Sequence, residues 1–283
     1  MYEFAYHRPN SIRKASSLSA DGDAKFLAGG QTLLPTMKQR LAAPDALIDL
    51  AGIEALQGIE MKGRTLHVGA MSRHADVASS AVVREAIPAL AALAGGIGDP
   101  HVRSMGTIGG SVANNDPAAD YPAACLGLGA TIVTNKRRIS ADDFFTDMFE
   151  TALEEGEIIT KVLFPLPRRA AYAKFDNPAS RYALVGVFVS KRGREVRVAV
   201  TGAWPCVFRV PAMEDALSKR FATKSLDGVA VDAGNLNSDI HASADYRAHL
   251  IGVMTRRAVA AARKLDRRLC CDGRAAGRGR PAR

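Results

Sequence analysis

Two segments that each contain an adjacent pair of glycines constrain this chain more than any other feature of its sequence. The first reads AGGQTLLP at residues 28–35, and the second reads TIGGSVANNDPAAD at residues 107–120. Paired glycines destabilise both helices and strands, and they suit places where the backbone turns sharply or where another group comes close to its amides. We therefore predict that both segments are loops.

The hydrophobic pattern divides the chain into three folded units and a tail. We predict units at residues 1–56, 57–170 and 171–268, followed by a disordered basic tail at residues 269–283. Strands are predicted at residues 25–28, 46–50, 65–70, 130–134, 158–164, 183–191 and 195–203, and helices at residues 11–19, 33–41, 73–94, 211–219 and 246–265. Predicted core residues include Phe144, Phe145 and Phe149. The pattern indicates an α+β protein.

The charge distribution argues against a nucleic-acid partner. The net charge is +9, but residues 247–283 hold 11 of the 38 Lys and Arg residues and only two of the 29 acidic residues. The preceding residues therefore carry equal numbers of basic and acidic side chains, whereas nucleic-acid binding needs a basic patch on the folded surface. A non-enzymatic nucleotide- or RNA-binding module that uses the basic tail is the least favoured function.

Membrane, secreted and metal-binding proteins are also disfavoured. The most apolar run, residues 86–98, is shorter than the ~20 residues of a membrane span. The starting residues MYEFAYHRPN lack the basic and apolar regions of a secretion signal, so we expect a cytoplasmic protein that is not integral to a membrane. The four cysteines and six histidines do not show the spacing of a metal site, and no metal ligand is predicted.

The glycine pairs suggest that both predicted loops bind phosphate. Consecutive backbone N–H groups of such a loop point at one oxygen, because no Cβ stands in the way. Thr32 lies near the first pair, and Thr107 and Ser111 lie beside the second. Neither segment matches the P-loop or GxGxxG pattern, and two separate phosphate sites suit a pyrophosphate. Asp120 is then a candidate acceptor for sugar or ribityl hydroxyls; the alternative is that both pairs only form tight turns.

Three motifs resemble a known family. FLAGGQTLLP at residues 26–35, TIGGSVANNDPAADYP at 107–122 and GEIITKVLFPLP at 156–167 are similar, in this order, to the FAD-binding medium subunit of the molybdenum hydroxylases, the carbon monoxide dehydrogenase and xanthine dehydrogenase family. The resemblance covers residues 4–265. It implies FAD as the cofactor and the vanillyl-alcohol-oxidase (PCMH) type of FAD-binding fold, with two α/β subdomains and a C-terminal α+β domain.

The resemblance also implies which residues contact FAD. The candidates are Leu27, Ala28, Gly29, Gly30, Gln31, Thr32, Leu33, Leu34, Ile97, Thr107, Ile108, Gly109, Gly110, Ser111, Asp120, Ile159 and Lys174. Ile97 and Ile159 correspond to apolar residues that line the flavin. Family members often have a basic residue in the segment that reads KFDNPASRYA here, where Asp176 stands at the variable place. Lys174 is therefore the candidate for that charge.

The family's function implies an electron-transfer subunit with no catalytic side chain of its own. Its partners are a large subunit that binds molybdopterin and a small subunit with [2Fe–2S] clusters, and its FAD passes electrons to an acceptor such as a quinone, NAD or oxygen. A stand-alone FAD oxidoreductase acting on its own small substrate is the alternative. That enzyme needs a substrate pocket and a base near the flavin, and the sequence points to neither.

Overall fold

The first unit of the computed structural model is a small parallel sheet with two helices. The structure describes residues 1–20 and 22–275. The unit contains β1 (Ala5–His7), α1 (Ile12–Leu18), β2 (Ala24–Leu27), α2 (Leu33–Lys38) and β3 (Ala46–Asp49). Its strands are parallel in the order β1-β3-β2. The first glycine segment therefore follows the carboxyl end of β2, the edge at which open parallel sheets bind ligands.

The second unit is a five-stranded antiparallel sheet with short helices. It contains β4 (Ile59–Lys62), β5 (Thr65–Gly69), α3 (His74–Ser79), α4 (Ala81–Ala86), α5 (Pro88–Gly95), α6 (Pro100–Met105), α7 (Ile108–Asn114), α8 (Tyr121–Leu128), β6 (Thr131–Thr134), β7 (Arg138–Ser140), α9 (Ala141–Phe144), β8 (Phe145–Asp147), β9 (Glu150–Thr151) and β10 (Ile159–Pro165). The order of the main sheet is β4-β5-β10-β6-β7, and β8 pairs with β9 separately. The long helix predicted at residues 73–94 is three helices, because Ser80 caps α4 and Pro88 starts α5.

The second glycine segment is not the loop that its composition predicts. Thr107 caps α7, and Gly109 and Gly110 lie in the first turn of this helix. A Cβ on Gly109 would lie 2.6 Å from the Cβ of Ala70 and 2.7 Å from its carbonyl oxygen. The glycine is therefore used because the helix packs directly on the chain after β5, and this close approach outweighs the cost of glycine in a helix.

The third unit is an antiparallel sheet covered by two helices. It contains β11 (Arg169–Asp176), β12 (Ala183–Arg192), β13 (Glu195–Thr201), β14 (Phe208–Arg209), α10 (Pro211–Lys219) and α11 (Ala244–Ala275). The sheet order is β11-β12-β13-β14. The predicted hairpin is formed by β12 and β13, whereas β11 has no counterpart among the predicted strands. Helix α11 continues beyond residue 265 into the segment predicted to be a disordered tail, and residues 276–283 lie outside the described part.

Two expectations about the core and the membrane can be compared with this fold. Phe144 and Phe145 are buried as predicted, but Phe149 is 57% exposed at the turn between β8 and β9, so its assignment to the core is wrong. None of the helices in the described part of the chain is long and apolar enough to cross a membrane.

A buried arginine joins α11 to the sheet of the third unit. Arg247 is 3% exposed, and its guanidinium donates to the carbonyl oxygens of Leu184 and Gly202, each at 2.6 Å, and to Asp239 at 2.7 Å. Buried carbonyl groups need a donor, because water cannot reach them. The arginine therefore supplies hydrogen bonds where the ends of β12 and β13 meet the helix.

Replacing Arg247 with Leu is expected to lower the free energy of unfolding by about 3 kcal/mol, because two buried carbonyl groups lose their donor. Urea denaturation followed by circular dichroism measures this change. Arg257→Leu is the matched control, since Arg257 is exposed on the same helix. Equal stability of the two variants would contradict the structural role of Arg247.

Candidate functional site

The three units enclose a cavity of about 680 Å³ that brings both glycine segments together. This volume is within the range of ~300–1,000 Å³ that is usual for small-molecule and cofactor sites. The predicted cofactor residues that line it are Leu27, Ala28, Gly29, Gly30, Gln31, Thr32, Leu33, Ile97, Thr107, Gly109, Gly110, Ser111, Asp120 and Ile159. Leu34, Ile108 and Lys174 do not line the cavity. The structure therefore gathers most of the predicted site around one space.

The first glycine segment lines this cavity and contains backbone donors without a partner among the described residues. Among the residues that the structure describes, none accepts a hydrogen bond from the N–H groups of residues 29–32. The backbone at Gly30 has φ +70°, a conformation that glycine adopts without strain. A Cβ built there would lie 2.8 Å from the Cδ1 atom of Leu34, so Leu34 supports the loop from behind. This segment retains the free amides that an anion site requires.

The second glycine segment does not supply free amides. The N–H groups of Ile108 and Gly109 donate to the carbonyl oxygens of Ser72 and Ala70, at 3.0 and 2.8 Å. The N–H of Gly110 donates to the Thr107 hydroxyl at 3.1 Å. The prediction that the amides of both glycine pairs bind phosphate is therefore wrong for this segment, because its amides attach α7 to the chain after β5 and bond to the N-cap of the helix.

Hydroxyl groups and close packing are what the second segment contributes. Ser111 lines the cavity, and its hydroxyl has no hydrogen-bond partner in the described part of the chain, as is also true of the Thr32 hydroxyl. A Cβ on Gly110 would lie 3.3 Å from the Cβ of Ala28. The two segments thus lie next to each other in the cavity wall. There is little room for a larger side chain at Gly110.

Asp120 forms a buried cluster with two side chains from β11. It is 5% exposed and accepts hydrogen bonds from the Tyr172 hydroxyl at 2.5 Å and from the Lys174 ammonium at 3.3 Å. Burial raises the pKa of Asp120 to about 6, although Lys174 and Tyr172 both oppose that shift. The carboxylate was predicted to accept from ligand hydroxyls, and it can do so only through lone pairs that Tyr172 and Lys174 leave free.

Lys174 connects the cavity wall to two neighbouring loops. Its ammonium also donates to the carbonyl oxygens of Gly96 at 2.8 Å and Arg181 at 3.0 Å. The side chain is 8% exposed, and the nearest oxygen of Asp176 is 3.6 Å away. The charge of Lys174 is therefore balanced inside the protein by Asp120, and the lysine lies behind this carboxylate.

His74 and Tyr182 are among the cavity residues that sequence reasoning did not identify, because no spacing rule points to them. His74 is 5% exposed and packs on Tyr121 with ring centroids 5.3 Å apart. Burial lowers the pKa of His74 to about 4, so the imidazole is neutral near pH 7. Tyr182 also lines the cavity, and its ring remains half exposed. Only the tertiary fold brings these rings to the two glycine segments.

The polar residues after the second glycine pair have separate roles. Asn114 lines the cavity, whereas Asn115 ends α7 with φ 43° and donates through its amide to the carbonyl oxygens of Asp147 and Glu150. Asp116 accepts from the N–H of Ala118 at 2.8 Å, which is a local turn. In the described part of the chain, no group of three or more His, Cys, Asp or Glu residues is arranged to hold a metal ion.

Comparison with known proteins identifies relatives of nearly the same length. A family model described as the FAD binding domain in molybdopterin dehydrogenase matches residues 2–167. The nicotine 6-hydroxylase medium subunit of Paenarthrobacter nicotinovorans is 37% identical, over 90% of this chain and 95% of its own. The carbon monoxide dehydrogenase medium chain of Hydrogenophaga pseudoflava is 36% identical, over 92% of this chain and 96% of its own.

A solved structure shows the same similarity in three dimensions. A chain of the carbon monoxide dehydrogenase from Hydrogenophaga pseudoflava, in a form that lacks the Mo-pyranopterin moiety, superposes with a TM-score of 0.84. The match has 35% identity and covers 92% of this chain and 97% of that chain. The similarity therefore includes the third unit, which lies beyond the residues matched by the family model.

The packing of α7 predicts different losses of stability at the two adjacent glycines. Gly109→Ala is expected to lower the free energy of unfolding by about 2 kcal/mol, because its Cβ would overlap Ala70. Gly110→Ala is expected to change it by less than about 1 kcal/mol, since the gain in helix propensity offsets a tight contact with Thr107. Urea denaturation distinguishes the two, and a larger loss for Gly110→Ala would contradict the packing described here.

The buried imidazole predicts loss of stability in acid. Between pH 6.5 and about 4 the unfolded chain binds a proton on His74 that the folded chain does not bind, so stability falls as the pH falls. The contribution of His74 across this window is about 3 kcal/mol. Asp120 has the opposite sign in an overlapping window, because burial raises its pKa.

Comparing wild type with His74→Leu isolates the histidine, because the contribution of Asp120 is common to both proteins. Urea denaturation at a series of pH values is expected to give a shallower acid loss for the variant. Parallel pH profiles for the two proteins would show that His74 is not a buried neutral imidazole.

Proposed function

This chain belongs to the FAD-binding family of the molybdopterin dehydrogenases, and from that premise we propose that it is the electron-transfer subunit of a molybdenum hydroxylase complex. It is an oxidoreductase subunit with FAD as its cofactor, as the resemblance of the three motifs predicts. The α+β architecture with an FAD-binding fold is also confirmed by its structural similarity to the carbon monoxide dehydrogenase chain.

The observation that carries the residue-level proposal is that residues 29–32 line the shared cavity and that no described residue accepts a hydrogen bond from their N–H groups. A pyrophosphate offers oxygens that such donors bind, and the hydroxyls of Thr32 and Ser111 add two further donors. The apolar side chains of Ile97 and Ile159 supply a surface for a flat ring system. The donors and the apolar walls together fit FAD.

The proposed role of the chain is to hold the cofactor between an electron donor and an electron acceptor. Electrons enter from [2Fe–2S] clusters on a small subunit, after substrate oxidation on a large molybdopterin-binding subunit, and leave to an acceptor such as a quinone, NAD or oxygen. FAD supplies the redox chemistry when bound, and the chain supplies binding, orientation and local charge. The cytoplasmic location remains a prediction from the sequence.

Gly110→Val is expected to weaken FAD binding by at least about tenfold, because a branched side chain there would press on Ala28 and narrow the cavity. Flavin absorbance of protein reconstituted with FAD measures the occupancy. Gly95→Val is the matched control: Gly95 lies in a helix outside the cavity, and a Cβ there meets only Ala78 at 3.8 Å. Full occupancy in Gly110→Val would contradict the assignment of this wall to the cofactor.

The electron-transfer role predicts that the native chain purifies with iron and molybdenum. Affinity isolation from its source cells, followed by metal analysis and mass spectrometry of the bound chains, tests this. Recovery of the FAD-loaded chain alone, with turnover of a small substrate and without either metal, would favour the stand-alone oxidoreductase.

A further inference from the structure

A short hairpin beside the cavity exposes two large apolar side chains. The acidic hairpin, as we name residues 145–151, consists of β8, β9 and the turn between them. At this turn the side chains of Met148 and Phe149 are 48% and 57% exposed. Exposed large apolar groups at the tip of an ordered turn are typical of protein contact sites.

The turn holds Phe149 in an unfavourable backbone conformation. Phe149 has φ 56°, a left-handed conformation that costs free energy for a bulky residue. Asn115 fixes it through three hydrogen bonds: its side-chain amide donates to the carbonyl oxygens of Asp147 and Glu150, and its own carbonyl accepts from the N–H of Phe149 at 3.2 Å. Such strain persists where the surroundings enforce it, often at functional sites.

The segment around the turn is strongly acidic. Residues 139–160 contain seven acidic and no basic side chains, although acidic and basic residues balance over the first 246 residues. Three of these acids form ion pairs with Arg or Lys. The other four form none with the described residues; they are Asp143, Asp147, Glu150 and Glu155. The apolar tip is thus flanked in the hairpin by two of these acids, Asp147 and Glu150.

The acidic hairpin is connected to the cavity wall at its turn and through the segment that follows β9. Asn115, which holds the turn, lies between Asn114 and Asp116, and both of these line the cavity. Leu153, two residues after β9, lines it as well. A protein bound at the hairpin would therefore lie next to the site assigned to the cofactor.

We propose that the acidic hairpin docks another chain of the same complex, which presents an apolar pocket surrounded by Lys and Arg side chains. The inference rests on the proposed function, since electron transfer requires a partner close to the cavity. Phe149 enters the pocket, and the acidic residues select a basic rim. A symmetric contact between two hairpins would place like charges together, which disfavours a second copy of this chain as the occupant.

The probe for this proposal is the iron- and molybdenum-containing subcomplex that remains after this chain is removed from the isolated native complex. Phe149→Asn is expected to weaken binding to it by at least about tenfold. Asn is favoured in the left-handed conformation, so the melting temperature is expected to stay the same or rise. Ile240→Asn is the control, because Ile240 is 95% exposed in the third unit and is expected to bind like wild type.

A second variant tests the charge. Asp147→Asn combined with Glu150→Gln keeps the size of both side chains and is expected to weaken binding and to reduce its dependence on salt. Wild-type affinity in Phe149→Asn, with iron and molybdenum still bound to the wild-type chain, would overturn the docking site and leave the proposed function intact. If the wild-type chain binds neither metal, the proposed function itself fails. Loss of a wild-type dimer in Phe149→Asn would identify a second copy as the occupant and overturn the choice of partner.

Discussion

Close packing of the two glycine segments against other parts of the chain is the constraint on which the cavity depends. A Cβ on Gly29 would collide with the backbone of Met105 and Gly106, and one on Gly109 would collide with Ala70. The loop after β2 in the first unit is thereby packed directly on the backbone at the end of α6 in the second unit. Because main chain cannot change shape by side-chain rotation, a Cβ added at Gly29 or Gly109 must move a neighbouring segment.

The sequence was sufficient to predict two segments that line the same cavity, but it did not reveal how they pack. A glycine pair indicates that another group comes close to the backbone at that place. At Gly29 and Gly109 this group is another part of the protein, whereas Gly110 also lines the cavity. Helix propensity includes the free-energy cost of glycine in a helix but not the tertiary contact that compensates for it. The sequence therefore did not predict α7. Strand β11 was missed because its buried residues, Ala170 and Ala171, are small and adjacent, which gives little alternation.

The interactions among the polar residues of the site were also not predictable from the sequence. Resemblance to the family pointed to Asp120 and Lys174 separately, but the hydrogen bond between them joins residues 54 positions apart in different units. Lys174 therefore cannot be considered as an isolated positive charge near the flavin. Its ammonium is balanced by the Asp120 carboxylate, whose own pKa is raised by burial. Phe149 was assigned to the core by its apolar character alone, because local sequence does not show that Asn115 holds the turn in a left-handed conformation.

The cluster of Asp120, Tyr172 and Lys174 links the second unit to the third and limits whether the two can be separated. The residues matched by the FAD-binding family model end at position 167, whereas both side chains that bind Asp120 lie beyond it. A chain ending at that boundary would keep the glycine segments and would leave a carboxylate without its counterion, which is costly wherever water remains excluded. The cofactor domain is thus not a self-contained module, since its electrostatics are completed by the domain that follows it. Recombination between relatives would have to exchange β11 together with the segment that carries Asp120.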